Sequence, residues 1–294
     1  MIQSVSTSGL KGEIGMVEPR RRRLVPFDPW HLVLAPLALV MLLPFVWMVV
    51  TSLETQAQTL HFPPTLWPGT MRFGNYTAAL RDSDFALWFW NTVVVTTTVV
   101  ISNLLLCSLA GYAFARIRFL GRGVVYILLL ATLMVPLQVV LIPTFLIVKA
   151  FGLIDTLGAL TVPHLANVFG IFMLTQFFRT LPIELEEAAR IDGASRLKIL
   201  FVIVLPLSMP ALATLAVILY LWTWNEFLWP LITILTNQRA FTLQLGLASF
   251  QGSHQTQWPW LAAANLMSML PLLVLFLLAQ RFFVRGIATQ GLKG

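Results

Sequence analysis

The sequence predicts an all-α polytopic membrane protein with six transmembrane helices. Three observations carry that fold class. Hydrophobic residues make up 58% of the 294 and charged residues only 11%, with a mean hydropathy of +0.83; soluble domains carry about a quarter charged residues. Six apolar runs each come near the roughly 20 residues that a helix needs to cross a bilayer. The lysines and arginines fall unevenly on the loops between those runs.

Residues 1–29 form a polar leader ending in Arg20-Arg21-Arg22-Arg23. Four arginines beside a first span anchor its cytoplasmic end, which is preferred to nucleic-acid binding. Residues 1–23 lack a small-residue cleavage site, so the first apolar run is expected to be retained. The spans are expected at about His31–Ser52, Trp90–Ala113, Val124–Val148, Leu160–Phe178, Phe201–Trp222 and Leu261–Phe283. In the Leu53–Phe89 segment, Pro63, Pro64 and Pro68 favour extended chain. Asn75–Asp82 then reads as a short interfacial helix, with Trp88 and Trp90 at headgroup level. The Thr236–Pro259 segment is polar and glutamine-rich, with Trp258 and Trp260 marking re-entry. Prolines such as Pro36, Pro44, Pro136, Pro143, Pro163, Pro206, Pro210 and Pro271 fall in or beside spans and are expected to kink them. The organisation is a leader, 1–29, and one six-helix domain, 30–294, with a charged loop at 179–200.

Basic residues orient the chain. With the N-terminus inside, fifteen Lys and Arg lie on the cytoplasmic side and four (Arg72, Arg81, Lys149 and Arg239) outside, accounting for all nineteen. Both termini, and the loop between the fourth and fifth spans, are therefore expected in the cytoplasm.

That loop is the one long charge-dense break. Arg179 to Lys198 holds eight ionised side chains in twenty residues. At roughly 2.5–3.5 kcal/mol per central charge, such a segment cannot lie in lipid. Pro182 suits a first helical turn and puts Glu184, Glu186 and Glu187 near the positive end of the helix dipole. Leu181, Leu185, Ala188 and Ala189 share a flat face at helical spacing. Gly193 suits a left-handed helix end and Ser195 an N-cap. The reading is a short helix, a sharp turn and a second helix entering the membrane: a docking knob.

Catalytic groupings are missing from the sequence. It has no phosphate loop and not one Gly-Lys pair, no His-x-x-x-His, no G-x-S-x-G and a single cysteine, Cys107, inside an apolar run. Polar residues in or near spans (Asn103, Gln138, His164, Asn167, Gln176, Asn225, Glu226, Asn265) suit helix-to-helix hydrogen bonds. Glu226 differs, lying at a span end within Trp222-Thr223-Trp224-Asn225-Glu226-Phe227. Trp224, Asn225 and Glu226 are candidate pathway residues, the carboxylate taking hydroxyls while rings stack on an apolar sugar face. An interfacial carboxylate is the other reading.

The spacing Glu187-Ala188-Ala189, three residues, Gly193, then Leu205-Pro206 resembles the cytoplasmic signature loop of ABC importer permeases. It stands here as E-A-A-R-I-D-G-A followed by I-V-L-P-L-S-M-P. W-N-E-F-L-W-P-L (Trp224–Leu231), T-L-Q-L-G-L-A-S-F (Thr242–Phe250) and the tail from Phe283 to Gly294 resemble the maltose-type carbohydrate permeases. Their six-span subunit pairs with a different second permease. The likeness covers about residues 30–294; Gly286–Gly291 departs from the small-residue run usual in that tail.

The resemblance implies the type I ABC importer permease fold, in a bacterial or archaeal cell membrane. It also implies a second permease subunit, two ATP-binding cassette subunits, an extracytoplasmic solute-binding protein and a sugar substrate. This chain would be non-catalytic and bind no cofactor, with ATP and Mg on the partner ATPase subunits. The knob would be a coupling helix, with Glu187, Ala188, Ala189, Asp192 and Gly193 at the ATPase. Glu187 would ion-pair there, the alanines would allow close seating and Gly193 would make the turn. Alternatives are the same machine importing glycerol-phosphate, a secondary transporter or an intramembrane enzyme. The secondary transporter is disfavoured by the lack of a repeat or mid-membrane charges, and the enzyme by the missing groupings.

Overall fold

A computed structural model describes residues 30–63, 67–81, 83–251 and 256–290. The leader, Pro64, Asp82 and the last four residues of the tail lie outside the described residues. Residues up to Pro44 and residues from Phe45 onward are separate compact units. Apart from one isolated bridge, Gln251 to Thr256, the described residues form helices and connections.

The helices are α1 (His31–Leu53), α2 (Gln56–Thr59), α3 (Gly74–Arg81), α4 (Phe85–Arg116), α5 (Arg122–Ala131), α6 (Leu137–Ala150), α7 (Leu157–Thr161) and α8 (Val168–Thr180). Next come α9 (Glu184–Ile191), α10 (Arg196–Leu207, including a π-helical stretch at Leu200–Val204), α11 (Met209–Trp224), α12 (Leu228–Thr233), α13 (Leu243–Ser249) and α14 (Trp258–Gln290). α1, α4, the Leu157–Thr180 stretch and α14 are long and apolar enough to cross a bilayer. Two bent pairs complete the expected six: Arg122–Met134 with Leu137–Ala150, turned by 104°, and α10 with α11, turned by 80°.

The kinks expected of the prolines in the third and fifth spans are thus full breaks. Pro136 directly precedes α6, and Pro206 and Pro210 bracket the break at Ser208. A proline lacks the amide that would continue the ladder, and its ring excludes the carbonyl four residues back. The fourth span is interrupted too. Val162–His164 forms a single 3-10 turn, and α8 restarts at an Asn167 N-cap whose side chain accepts from the Gly170 amide at 2.6 Å. The interfacial helix expected over Asn75–Asp82 is α3.

Three apolar clusters hold the unit that begins at Phe45. One joins α4, α8, α10 and α11 through Cys107, Leu174, Phe178, Leu200 and Leu215. A second gathers Phe85, Trp88, Trp224, Leu243 and Leu261. There Gly246 permits the tightest approach at any described glycine, because a Cβ on it would lie 2.1 Å from the Trp88 ring. Trp88 is therefore buried between helices rather than set at a headgroup, whereas Trp90 is 62% exposed. A third cluster joins Val95, Leu160, Trp229 and Leu245. Asn103 and Asn167 bond across α4 and α8 at 2.7 Å, the helix-to-helix role expected of intramembrane amides.

Candidate functional site

The knob has the expected helix–turn–helix build. In α9 the three glutamates occupy the first turn and Arg190 the last, matching the helix dipole. The turn is a Schellman cap: Gly193 has φ +79°, its amide reaches the Arg190 carbonyl at 3.0 Å, and the Ala194 amide reaches the Ala189 carbonyl at 2.9 Å. Ser195 accepts from the Lys198 amide at 3.3 Å and starts α10.

The expected flat face is divided. Leu181 and Ala189 pack inward against the first cluster, while Leu185 and Ala188 are exposed. In a helix two adjacent residues lie 100° apart, so Ala188 and Ala189 cannot both face a partner squarely. The outward face is Ala188 with Glu187 and Ile191, the last 87% exposed, and Asp192 and Gly193 are exposed beside it.

What ties the knob to the spans is a residue whose partners lie far away in sequence. Glu186 is 7% exposed. Its Oε1 lies 2.8 Å from Arg116 Nε, a charge pair whose N–H is not aligned as a hydrogen bond, and its Oε2 accepts from the Tyr112 hydroxyl at 2.9 Å. Arg116 is the last residue of α4, and its Nη2 donates to the carbonyls of Phe178 at 2.6 Å and Leu181 at 2.5 Å. One guanidinium thus fixes the end of α8, the start of the knob and the buried carboxylate. Arg179 also stacks over the Tyr126 ring at 5.2 Å, linking α8 to α5.

The second candidate group is split by the fold. Trp224 is 1% exposed; its indole donates to the Ser268 carbonyl at 3.2 Å and stacks on Tyr220. Asn225 is exposed and donates back to the Leu221 carbonyl at 2.7 Å. Glu226 alone of the three reaches a cavity of about 220 Å³ lined by α4, α6, residues 163–167 and α11. Its Oε1 accepts from the Trp229 amide at 3.0 Å in the first turn of α12. Trp222 and His164 share that wall, with ring centroids 6.2 Å apart and planes 18° from parallel. No cluster of metal-ligating side chains exists among the described residues.

Just past the end of α12, Asp155 takes the Leu235, Thr236 and Asn237 amides at 2.6, 2.8 and 3.2 Å and the Thr236 hydroxyl at 2.8 Å. These bonds, the Thr236 amide first, hold its carboxyl at about 2, below the usual range.

Comparison with known proteins matches residues 103–289 to the family described as "Binding-protein-dependent transport system inner membrane component". The chain is 32% identical to the Arabinooligosaccharides transport system permease protein AraQ of Halalkalibacterium halodurans, over 93% of this chain and 100% of that one. It is 36% identical to the sn-glycerol-3-phosphate transport system permease protein UgpE of Pectobacterium atrosepticum, over 92% and 98%. A chain in the crystal structure of a bacterial ABC transporter involved in the import of the acidic polysaccharide alginate superposes with a TM-score of 0.76. That match covers 88% of this chain and 100% of that chain, at 24% identity, and it shows the type I importer-permease fold. With the knob and all of the cavity wall but Val99 inside the matched region, the chain belongs to the family of binding-protein-dependent transport system inner membrane components, the permease subunits of ABC importers.

Proposed function

We propose that this chain is one half of the translocation pathway of an ATP-driven sugar importer. It pairs with a second permease subunit, takes its solute from an extracytoplasmic binding protein, and works with two ATPase subunits that hold ATP and Mg, one of them seated on its knob. Both termini and the knob are cytoplasmic, and residues 30–294 act as one six-helix domain. The observation that carries this reading is the knob: a capped helix with an exposed Glu187–Ala188–Ile191 face, anchored from behind by a buried ion pair. A charged loop with no partner would have no reason to be both outward-facing and rigidly held.

Sugar is favoured over glycerol-phosphate by charge. Arg and Lys are missing from the residues lining the cavity, and a phosphate would need them. The chain therefore serves a neutral carbohydrate, and the glycerol-phosphate relative marks the nearest alternative.

Docking is tested at Ala188, because Ala189 packs inward. Ala188→Glu adds bulk and charge outside, while Gly193→Val strains the turn, since a β-branched residue resists positive φ. In the assembled complex, both variants keep normal membrane levels of this chain, lose co-purifying ATPase subunits and lose uptake. Wild-type co-purification and uptake in both would sink the coupling role. Labelling of a cysteine at position 193 from outside intact cells, on a Cys107→Ser background, would overturn the orientation.

A further inference from the structure

The cavity beside Glu226 has features that lipid contact does not explain. One wall is residues 163–167, where the fourth span has lost its helical ladder between the 3-10 turn and the start of α8. Irregular backbone at membrane depth is tolerated only where it is buried in protein or lines a watery space. Part of this break is sealed from behind, because Asn103 donates to the His164 carbonyl at 2.6 Å and accepts from Asn167. The front carries the His164 imidazole and the half-buried Glu226 carboxylate. The imidazole nitrogens and Glu226 Oε2 take part in no hydrogen bond among the described residues. Ionisable groups are expensive against acyl chains, so this wall faces the pathway.

We infer that the cavity is a subsite where this chain itself holds one ring of a neutral sugar during passage. The assignment rests on the sugar-importer reading above and adds the site and its residues. The aromatic part is the near-parallel His164–Trp222 pair, with Trp222 50% exposed and free to cover the apolar face of a pyranose or furanose. The polar part is Glu226 Oε2, left open while Oε1 is engaged by the Trp229 amide. A carboxylate accepts from hydroxyls and repels anions. The volume, about 220 Å³, is below the usual range for a drug-sized ligand and suits a single ring, so a longer chain would pass ring by ring. The set Trp222, His164 and Glu226 replaces Trp224 and Asn225, which the fold directs elsewhere.

The test uses the complete importer, with its binding protein, in liposomes loaded with ATP. Uptake of labelled maltose, arabinotriose and glycerol 3-phosphate by the wild-type complex comes first; transport of glycerol 3-phosphate alone overturns the sugar reading itself. With a transported sugar in hand, Thr144→Cys on a Cys107→Ser background places a thiol at the cavity wall. Sugar should slow its labelling by an impermeant thiol reagent in proportion to occupancy of the cavity. Trp222→Ala should raise the sugar concentration that gives half-protection, and lower uptake at subsaturating sugar, each about fivefold. Each variant complex should assemble at the wild-type level. Glu226→Gln keeps an oxygen for the Trp229 amide and should give a smaller fall in uptake. Equal labelling rates with and without sugar, or wild-type uptake by both variants, would overturn the subsite while leaving the importer reading intact.

Discussion

Two carboxylates, Glu186 and Asp155, each fasten a loop to the spans, and they do it by opposite physics. Glu186 is nearly buried and faces a guanidinium that also holds the end of α8. Asp155 is exposed, has φ +63°, and grips backbone amides of a loop 80 to 82 residues away. A buried charge pair is not a cheap way to gain stability, since desolvation offsets most of its attraction. Its distinguishing property is that breaking it leaves an uncompensated charge, so the knob has one arrangement and resists others. The exposed clasp is solvated in either state and lets its loop open at little cost.

The largest effect should come from breaking the buried pair. Arg116→Ala strands Glu186 and frees the Phe178 and Leu181 carbonyls, a loss of roughly 3–5 kcal/mol. The assembled complex should unfold at lower temperature and lose most uptake, whereas Arg116→Met with Glu186→Gln should recover stability but not full transport. Equal damage in the single and double variants would show that the charge itself does not matter.

Next comes Tyr112→Phe, which removes one hydrogen bond to a charged acceptor, worth about 1.5 kcal/mol. Thermal unfolding should register that loss, and uptake should fall less than in Arg116→Ala. A Tyr112→Phe complex as damaged as Arg116→Ala would move the anchor from the ion pair to the hydroxyl.

The smallest effect belongs to the exposed clasp. Its carboxyl is pushed down to about 2, so the clasp is fully formed above the ordinary Asp value of about 3.9 and is lost as pH falls through about 2. Amide exchange at Leu235–Asn237, corrected for intrinsic rates, should show flat protection from about pH 7 to about pH 4. Asp155→Ala should raise exchange there across that range with no change around Glu186. Protection that fades near pH 6 would assign the clasp to some other group.

Much of the fold was legible because it is local. Apolar runs of membrane length, Gly193 followed by Ser195, and the short helix before the second span are each set by residues close in the chain. The breaks at Ser208 and before α6 were half legible: their prolines were marked, but whether a proline kinks a helix or ends it depends on what can pack into the gap. The anchor was not legible. Glu186 stands among three glutamates of equal apparent standing, and only packing decides which turns inward to an arginine seventy residues earlier. One signal was available, since Arg116 closes the second span on the same side of the membrane as the knob. In the same way Trp222, half exposed, and Trp224, two residues on and fully packed, lie about 200° apart around one helix, and only packing decides which side faces the core.

Helix α4 has a mechanical consequence. It runs 32 residues without a proline, about 48 Å at 1.5 Å per residue, well beyond the roughly 30 Å of a bilayer core. Arg116 at one end grips the knob, while near the other Asn91 holds the Arg239 and Phe241 carbonyls at 2.7 and 2.9 Å and Thr92 receives the Leu243 amide. The third, fourth and fifth spans each contain a joint; this one has none. It is one unbroken helix joining the Arg116 anchor of the knob to the Asn91 and Thr92 bonds near its other end.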